Sequence, residues 1–288
     1  MAIDILIKQK LFGNKTMPLE VILGEDLHYG TYETDRMNIG ELGENEFIAY
    51  NPRRIGRGFS VIWNSSENKS IALRLPMPST ATELKDFYLC VERMTKYWGG
   101  KLIVDGNKTS LEAFMAGLDE MISFNEKTIK RIANQVYSGE SHALTLYSAM
   151  WPLSMGKEEA EKFLTGTKSY EEWLHEKQDA DVYFPSPALF MGEKGVFGRY
   201  ILLSDIPTVL PYKPTVPYSA VNPETGKTFE CEKWVVLVGI RGEREPLCEM
   251  EYSVLLKKLP ENKISRFDGD NFLLAELTQE EIKNIAKQ

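Results

Sequence analysis

Residues 58–105 read GFSVIWNSSENKSIALRLPMPSTATELKDFYLCVERMTKYWGGKLIVD, and their secondary structure is the easiest to predict in the chain. Residues 58–64 read as a first strand, and in residues 70–75 apolar Ile71, Leu73 and Leu75 alternate with smaller or polar neighbours, as a half-buried strand requires. Residues 84–98 repeat apolar side chains at the three-and-four spacing of one helix face. Two glycines then favour a left-handed helix end, and a last strand follows. The segment predicts a strand–strand–helix–strand unit.

The ends of these elements also have recognisable signals. Pro76 and Pro78 stop the second strand, and a polar turn at residues 65–68 precedes it. Thr80 and Glu83 match the S/T-x-x-E capping box, which satisfies amide donors in the first helical turn. Two further boxes are predicted at Thr109 with Glu112 and at Thr278 with Glu281. A second helical pattern begins near residue 111, and Asn125 is expected to interrupt it.

The sequence predicts an α+β protein with a mainly antiparallel sheet and helices packed on that sheet. The strand–helix–strand part at residues 70–104 is compatible with a right-handed parallel crossover. A chain of 288 residues forms one large domain or two of ordinary size. We predict an α+β N-terminal part at residues 1–150 and an α+β C-terminal part at residues 151–288, with the boundary near 148–156. The two parts are closely packed or form one domain.

Composition excludes several classes of protein. The chain is 43% hydrophobic and 26% charged, which is typical of globular proteins. Its formal net charge of −8 argues against a nucleic-acid or anionic-membrane surface, since both require basic faces. No apolar run reaches the ~18 residues of a membrane span. Cys90, Cys231 and Cys248 are an odd number without a C-x-x-C pair, so we expect free structural thiols and a cytoplasmic protein.

Residues 20–46 are strongly acidic, with Arg36 as the single basic residue. The acids are Glu20, Glu25, Asp26, Glu33, Asp35, Glu41, Glu44 and Glu46. Such a run is typical of a solvated loop surface. It also suits a docking surface for a basic partner protein, and both interpretations stay open.

The candidate ligand site is a basic loop that holds Arg53, Arg54 and Arg57 beside Gly56 and Gly58. Forked guanidinium donors match the paired oxygens of phosphate or carboxylate groups, and the glycines permit close backbone approach. The loop contains neither the G-x-G-x-x-G nor the G-x-x-x-x-G-K-S/T pattern of phosphate-binding loops. The alternative is that these arginines pair with the acidic run upstream.

No residue is predicted to be catalytic, and no metal or cofactor is predicted. His175 and Glu176 resemble the start of an H-E-x-x-H zinc helix, but Asp179 replaces the second histidine. Asp268 and Asp270 lack the further ligands of a calcium loop, and a hairpin turn at Asp268-Gly269 explains them better. No G-x-S-x-G nucleophile elbow is present. The five tryptophans are assigned to the core by default.

Several stretches resemble one uncharacterised bacterial family of proteins of about this length. They are IGRGF at residues 55–59, LRLP at 73–76, Phe87-Tyr88, and VFGRY at 196–200 followed by Pro207. The resemblance implies a stand-alone bacterial cytosolic protein of unassigned function and carries no site residues. The helix-then-glycine-pair-then-strand pattern is also similar to α+β modules among toxin-immunity proteins, a likeness of fold that does not fix function.

Two functions follow as hypotheses. The first is a non-catalytic cytosolic protein, similar to immunity proteins, that binds a basic partner protein through acidic loops including residues 20–46. The alternative is an enzyme or sensor that binds a small phosphorylated or carboxylated ligand through Arg53, Arg54 and Arg57. The oligomeric state is not predicted.

Overall fold

The computed structural model describes residues 1–10, 15–33, 36–63, 69–192, 195–217, 220–221 and 226–287. The predicted turn at residues 65–68, Asn64 and Asp35 lie outside these ranges. The chain forms two compact units, which are described separately. The first contains Met1–Glu33 and Met37–Asp179, and the second contains the residues from Ala180 onward.

The first unit contains an eight-stranded sheet, a two-stranded hairpin and six helices among the described residues. Its strands are β1 (Ala2–Lys8), β2 (His28–Glu33), β3 (Arg36–Ile39), β4 (Glu46–Tyr50), β5 (Phe59–Trp63), β6 (Ser70–Pro76), β7 (Lys101–Val104), β8 (Asn107–Thr109), β9 (Leu144–Leu146) and β10 (Leu153–Met155). Its helices are α1 (Leu19–Leu23), α2 (Ala81–Trp98), α3 (Leu111–Ala116), α4 (Leu118–Ser138), α5 (Lys157–Thr165) and α6 (Tyr170–Gln178).

The large sheet has the strand order β3-β2-β4-β5-β6-β1-β7-β8. Both β6 and β7 run antiparallel to β1, so β6 and β7 are parallel to each other with β1 between them. The strand–strand–helix–strand unit is therefore confirmed as β5, β6, α2 and β7. The parallel direction of the crossover is also confirmed, although the insertion of β1 was not foreseen.

Helix α2 packs its apolar face on one face of this sheet, as the spacing predicted. The buried side chains of that face are Leu84, Phe87, Tyr88, Val91, Met94, Thr95 and Trp98. They join the alternate residues Ile3, Ile5 and Ile7 of β1 in one hydrophobic core. Burying each large apolar side chain contributes roughly 1.5–3 kcal/mol, so this helix face stabilises the unit substantially. On the other face of the sheet, exposed Arg74 pairs with exposed Asp4 at 3.1 Å.

The helix starts differ in part from the predicted capping boxes. The hydroxyl of Thr80 accepts from the N–H of Glu83 at 3.0 Å, but the Glu83 carboxylate does not return to Thr80. The predicted box at Thr109 is wrong by one residue, because Ser110 is the N-cap of α3. Asn125 does not interrupt a helix: it lies buried inside α4, and the break falls at Gly117 instead. The box at Thr278 with Glu281 is confirmed.

Among its described residues, the second unit contains two sheets. Its elements are β11 (Ala188–Gly192), β12 (Gly195–Leu203), β13 (Thr208–Pro211), β14 (Cys231–Gly239), β15 (Cys248–Glu251), α7 (Tyr252–Lys258), β16 (Ile264–Arg266), β17 (Asn271–Leu274) and α8 (Gln279–Ala286). One sheet has the order β11-β12-β14-β15, with β12 and β14 parallel, and the other has the order β13-β17-β16. Helices α7 and α8 contribute Leu255 and Ile282 to its core.

A glycine within the VFGRY stretch has a packing role. A Cβ atom on Gly198 would lie 2.1 Å from the ring of Trp234, so only glycine lets this ring lie on β12. The predicted α+β class with mainly antiparallel sheets is confirmed. The division between the compact units falls at Asp179–Ala180, later than the predicted boundary near 148–156, because α5 and α6 belong to the first unit.

Candidate functional site

The three arginines of the basic loop have different surroundings. Arg53 is exposed, and its guanidinium lies 3.4 Å from the carboxylate of Asp26, which is exposed as well. Exposed pairs of this kind contribute about 0–1 kcal/mol. Arg54 is also exposed. Its charge is a small contribution to the lowered pKa of Glu172, which hydrogen bonds from Ser169 depress most.

Arg57 donates hydrogen bonds to two main-chain carbonyls of the protein. Its Nε donates to the carbonyl of Tyr147 at 2.9 Å, and one terminal nitrogen donates to the carbonyl of Pro78 at 3.2 Å. Ile55, two residues before Arg57 in the loop, donates its N–H to Nδ1 of His175 at 3.1 Å. The recorded contacts of Arg53 and Arg57 thus fix the loop to the protein, and they do not assemble a three-arginine clamp.

The buried carboxylate of Glu83 lies beneath this loop. Glu83 is 5% exposed. One of its oxygens accepts from the N–H of Gly58 at 2.5 Å, the hydroxyl of Ser79 donates to the other, and the main chain of Arg57 donates as well. Burial raises the pKa of Glu83, while these hydrogen bonds and the charge of Arg57 oppose the rise.

The two loop glycines let the main chain of the loop lie close to this carboxylate. A Cβ on Gly56 would lie 2.8 Å from a Glu83 oxygen, and Gly58 adopts a left-handed φ of +71°. The sequence predicts close backbone approach to a ligand at these glycines, whereas the group that the main chain approaches is the Glu83 carboxylate. Because Glu83 is buried and its oxygens are occupied, its role in this geometry is to hold the arginine loop on the start of α2.

Two further side chains complete the same cluster. Asn125 exchanges two hydrogen bonds with the main chain of Ser79, at 2.7 and 2.9 Å. The hydroxyl of Tyr170 donates to the carbonyl of Pro78 at 3.2 Å, and the Met77–Pro78 bond is cis. Segment 77–80 is therefore held from α4 and α6. Sequence reasoning missed Asn125, although a polar residue inside an apolar helical stripe was the signal.

An apolar cleft of about 200 Å³ opens elsewhere in the first unit. It lies where α1, the last turn of α2 and the ends of β4, β5 and β6 meet the segment that carries Leu42. Its lining residues are Thr16, Met17, Leu19, Ile22, Leu42, Phe47, Trp63, Ser70, Ile71 and Trp98. Eight of these ten side chains are apolar, and Thr16 and Ser70 supply the hydroxyl groups.

Hydrogen bonds and ring contacts hold the walls of the cleft. The indole N–H of Trp98 donates to the carbonyl of Lys15 at 3.0 Å. The rings of Phe47 and Trp63 lie 5.5 Å apart. Arg93 of α2 donates to the last turn of α1, at 2.7 Å to the carbonyl of Ile22. The cleft is thus a preformed feature of the packed core edge.

The size of the cleft limits what it accepts. Drug-sized ligands occupy pockets of about 300–1,000 Å³, whereas a dry cavity of about 150 Å³ takes a benzene molecule. A volume of about 200 Å³ therefore suits one aromatic ring or one branched aliphatic side chain. Leu42, 52% exposed, stands at the rim.

Several charged residues are sequence neighbours of the residues that line the cleft. Glu20, Glu41 and Glu46 are exposed and immediately neighbour lining residues, as do Lys15 and Lys69. The Lys15 ammonium also lies over the ring of Tyr97, 5.5 Å from its centroid. The seven acids of segment 20–46 that the structure describes are all exposed. This agrees with a solvated acidic surface, and its use as a docking surface stays a prediction.

The sequence did not identify the cleft because Trp63 and Trp98 were assigned to the core. A usable signal was their position: each is the last residue of its element, β5 and α2, where a large ring extends past the packed layer. Both rings do join the core, but each also forms a wall of the cleft.

The other predicted sites can now be placed. Asp268 is fully buried in the β16–β17 hairpin and accepts the N–H groups of Asp270 and Asn271, so the predicted turn is confirmed. Within the described ranges, no three His, Cys, Asp or Glu side chains are grouped as metal ligands. None of the helices described has the length and apolarity needed to cross a bilayer.

Comparison with known proteins gives one result. A family model described as "Domain of unknown function (DUF4299)" matches residues 2–285, nearly the whole chain. No curated protein and no solved structure matches the chain.

Proposed function

This chain belongs to the DUF4299 family, whose function is unknown, and we propose from the cleft that it is a non-catalytic protein that binds a partner protein. The expected membership of an uncharacterised family is confirmed. In the proposal, the partner places one large apolar side chain in the cleft. Basic residues beside that side chain face the acids of segment 20–46.

The apolar lining of the cleft is the observation that carries the proposal. Protein interfaces obtain most of their binding energy from a few large side chains that fill preformed pockets. The cleft has the volume of one such side chain, and Leu42 leaves apolar surface exposed at its rim. A covering side chain would remove that surface and the ring faces of Trp63 and Trp98 from water.

Charge supports the choice of a basic partner. Complementary charge around an apolar contact steers the encounter and excludes partners of the wrong sign. Segment 20–46 has seven exposed acids in the part that the structure describes, and the whole chain has a formal net charge of −8. We therefore expect binding to weaken with salt, because the Debye length falls from about 10 Å at 0.1 M to about 3 Å at 1 M.

The test uses synthetic peptides with several lysines and arginines around a central Trp, Leu or Ala. Fluorescence anisotropy measures their binding to the full chain at low and high salt. We expect Trp and Leu peptides to bind more tightly than Ala peptides. Leu42→Ser should weaken that binding at least about fivefold, or ~1 kcal/mol. Ile39→Ser is the control, because Ile39 is 62% exposed but does not line the cleft.

Two results would reject the proposal. One is equal affinity for the Trp, Leu and Ala peptides, which would show that no side chain enters the cleft. The other is equal weakening by Leu42→Ser and Ile39→Ser. Equal salt response of basic and neutral peptides would reject the choice of a basic partner.

Binding of a small phosphorylated or carboxylated ligand by the arginine loop is our second proposal. It is favoured by the exposure of Arg53 and Arg54 on one loop, while Arg57 already donates to two carbonyls. Calorimetric titration with inorganic phosphate and with citrate tests it. If Arg53→Ala/Arg54→Ala gives the same heats as the unchanged protein, the loop is not the ligand site.

A bacterial cytoplasmic setting is part of the proposal. Cys90, Cys231 and Cys248 are all free thiols, and free thiols persist in reducing compartments. Fractionation of cells that express the untagged chain measures this directly. Recovery from the culture medium would contradict the cytoplasmic assignment.

A further inference from the structure

The exposed edge of the second unit is a separate feature from the cleft. Strand β11, with the sequence ALFMG, is the outer strand of the order β11-β12-β14-β15 and pairs with β12. It contains no charged residue and no proline. Ala188, Met191 and Gly192 are exposed, and Met191 is 82% exposed.

Strand β11 differs from the other edge strands in charge, proline content and exposure. Natural edge strands avoid pairing with other chains through charges, proline, short length or burial. In the described sheets of three or more strands, β3 has Arg36, β8 has Lys108, β15 has two glutamates and β16 has Arg266. The remaining edge, β13, lacks charge but is buried at three of its four residues and ends in proline. Among the described edges of these larger sheets, β11 alone combines exposure with an uncharged, proline-free strand.

The strand is also held in shape. The rings of Phe190 and Phe197 are stacked, with their centroids 5.1 Å apart. The guanidinium of Arg199 lies over the Phe190 ring, 4.1 Å from the centroid of that ring. Arg199 in turn lies 3.8 Å from a carboxylate oxygen of Glu249, which balances its charge. A fixed, neutral edge presents its unpaired main-chain groups with little further loss of conformational freedom.

We propose that β11 pairs antiparallel with β11 of a second copy of this chain, with a two-fold axis at Phe190. In a five-residue strand this register places Leu189 of each copy opposite Met191 of the other. Leu189 and Met191 lie on one face of the strand, so the axis produces two identical apolar pairs. Strand β11 itself brings no charge to the axis, and the Arg199 beside Phe190 has its charge balanced by Glu249 in each copy.

The joined sheet would have eight strands, four from each copy. Five residues bury less surface than the ~1,200–2,000 Å² of stable interfaces, so we expect a weak dimer whose fraction rises with protein concentration. This inference does not depend on the cleft or its partner, since all its residues belong to the second unit.

Sedimentation velocity on the full chain tests the dimer, from about 5 µM to about 500 µM. We expect the sedimentation coefficient to rise with concentration for the unchanged protein and to stay at the monomer value for Met191→Lys. Leu247→Lys is the matched control, because Leu247 is 37% exposed and lies next to the opposite edge strand. It should still dimerise. Thermal unfolding of both variants checks that the fold is intact.

Cysteine crosslinking tests the register. A mixture of Leu189→Cys and Met191→Cys chains should form disulfide-linked dimers, while Met191→Cys alone should crosslink no faster than the unchanged protein with its native cysteines. A wild-type monomer at every concentration would overturn the proposal. So would a dimer that Met191→Lys leaves intact, or a strand that pairs only with other proteins.

Discussion

The carboxylate of Glu83 accepts a hydrogen bond from the main-chain N–H of Gly58 at 2.5 Å, across 25 positions of the sequence. This contact joins the first turn of α2 to the arginine loop. The same carboxylate accepts a hydrogen bond from the hydroxyl of Ser79. The buried Glu83 side chain therefore connects helix α2, the arginine loop and segment 77–80.

Glu83→Gln should change how stability depends on pH. Burial raises the pKa of Glu83 above its ordinary value of 4.5, so the folded protein holds this proton more tightly than the unfolded chain. The corresponding stability is present at low pH and is lost as pH rises through the folded pKa. The glutamine cannot titrate, yet its amide can still accept from Gly58 and donate to Ser79. The free energy of unfolding of the variant, relative to that of the unchanged protein, should therefore increase as pH rises above about 4.5. Urea unfolding at a series of pH values measures both free energies. If the variant and the unchanged protein show the same dependence of unfolding free energy on pH, the prediction is wrong.

Arg57→Ala should destabilise the protein by about 2–3 kcal/mol, because two carbonyls lose their donor and Glu83 loses a nearby positive charge. Arg53→Ala is the matched control on the same loop and should change stability by less than about 0.5 kcal/mol, since its ion pair is exposed. Urea unfolding at neutral pH compares them. Equal effects would show that the inward contacts of Arg57 contribute little.

Gly58→Ala should cost more than Gly40→Ala. Both glycines have positive φ, +71° and +78°, so both variants carry the cost of a left-handed residue, about 1–2 kcal/mol. The new Cβ at position 58 would also lie 2.4 Å from Cγ2 of Ile48, whereas position 40 has no atom within 4 Å. Thermal unfolding of the two variants gives the difference. A smaller loss at position 58 would mean that the loop moves away freely.

Lys258→Met should loosen the C-terminal helix α8. The Lys258 ammonium donates to the carbonyls of Ile285 at 3.0 Å and Lys287 at 2.5 Å, which otherwise lack helical partners. We expect a loss of about 1–2 kcal/mol, seen as faster amide hydrogen exchange in α8. Lys257→Met removes an exposed neighbouring lysine and should leave that exchange unchanged.

Cys90 should resist alkylation in the native protein. Burial raises the pKa of its thiol to about 12, and its side chain is fully buried in α2. At pH 8 iodoacetamide should therefore modify Cys231 and Cys248, which are half-buried, before Cys90. Mass spectrometry of the labelled peptides measures the order. In urea all three should react, and fast native labelling of Cys90 would indicate that α2 opens.

Local patterns predicted the core well. The seam from Leu84 to Trp98 followed from helical spacing, which packing on a sheet then preserves. The position of β1 between β6 and β7 did not follow, because strand order depends on contacts between distant segments. The same limit applies to the boundary, since α5 and α6 give no sequence sign of the unit to which they belong.

The sites were harder to predict for a related reason. Arg53, Arg54 and Arg57 are close in the sequence. The direction of the Arg53 side chain depends on Asp26, and that of Arg57 depends on Tyr147 and Pro78, which are remote in the chain. Glu83 matched a local capping box, and the N–H of Gly58 competed successfully for its carboxylate. The cleft required the ends of five elements to meet, which no single stretch encodes.

The central place of β1 affects how the chain is made. Its isoleucines have no partner strand until β6 (Ser70–Pro76) has left the ribosome, and the second edge of β1 stays open until β7 (Lys101–Val104) follows. At about 5–20 residues per second, synthesis of the roughly 100 residues from β1 through β7 takes roughly 5–20 s. During that interval β1 is an incompletely paired apolar strand, and a chaperone that binds such strands would meet this protein at β1.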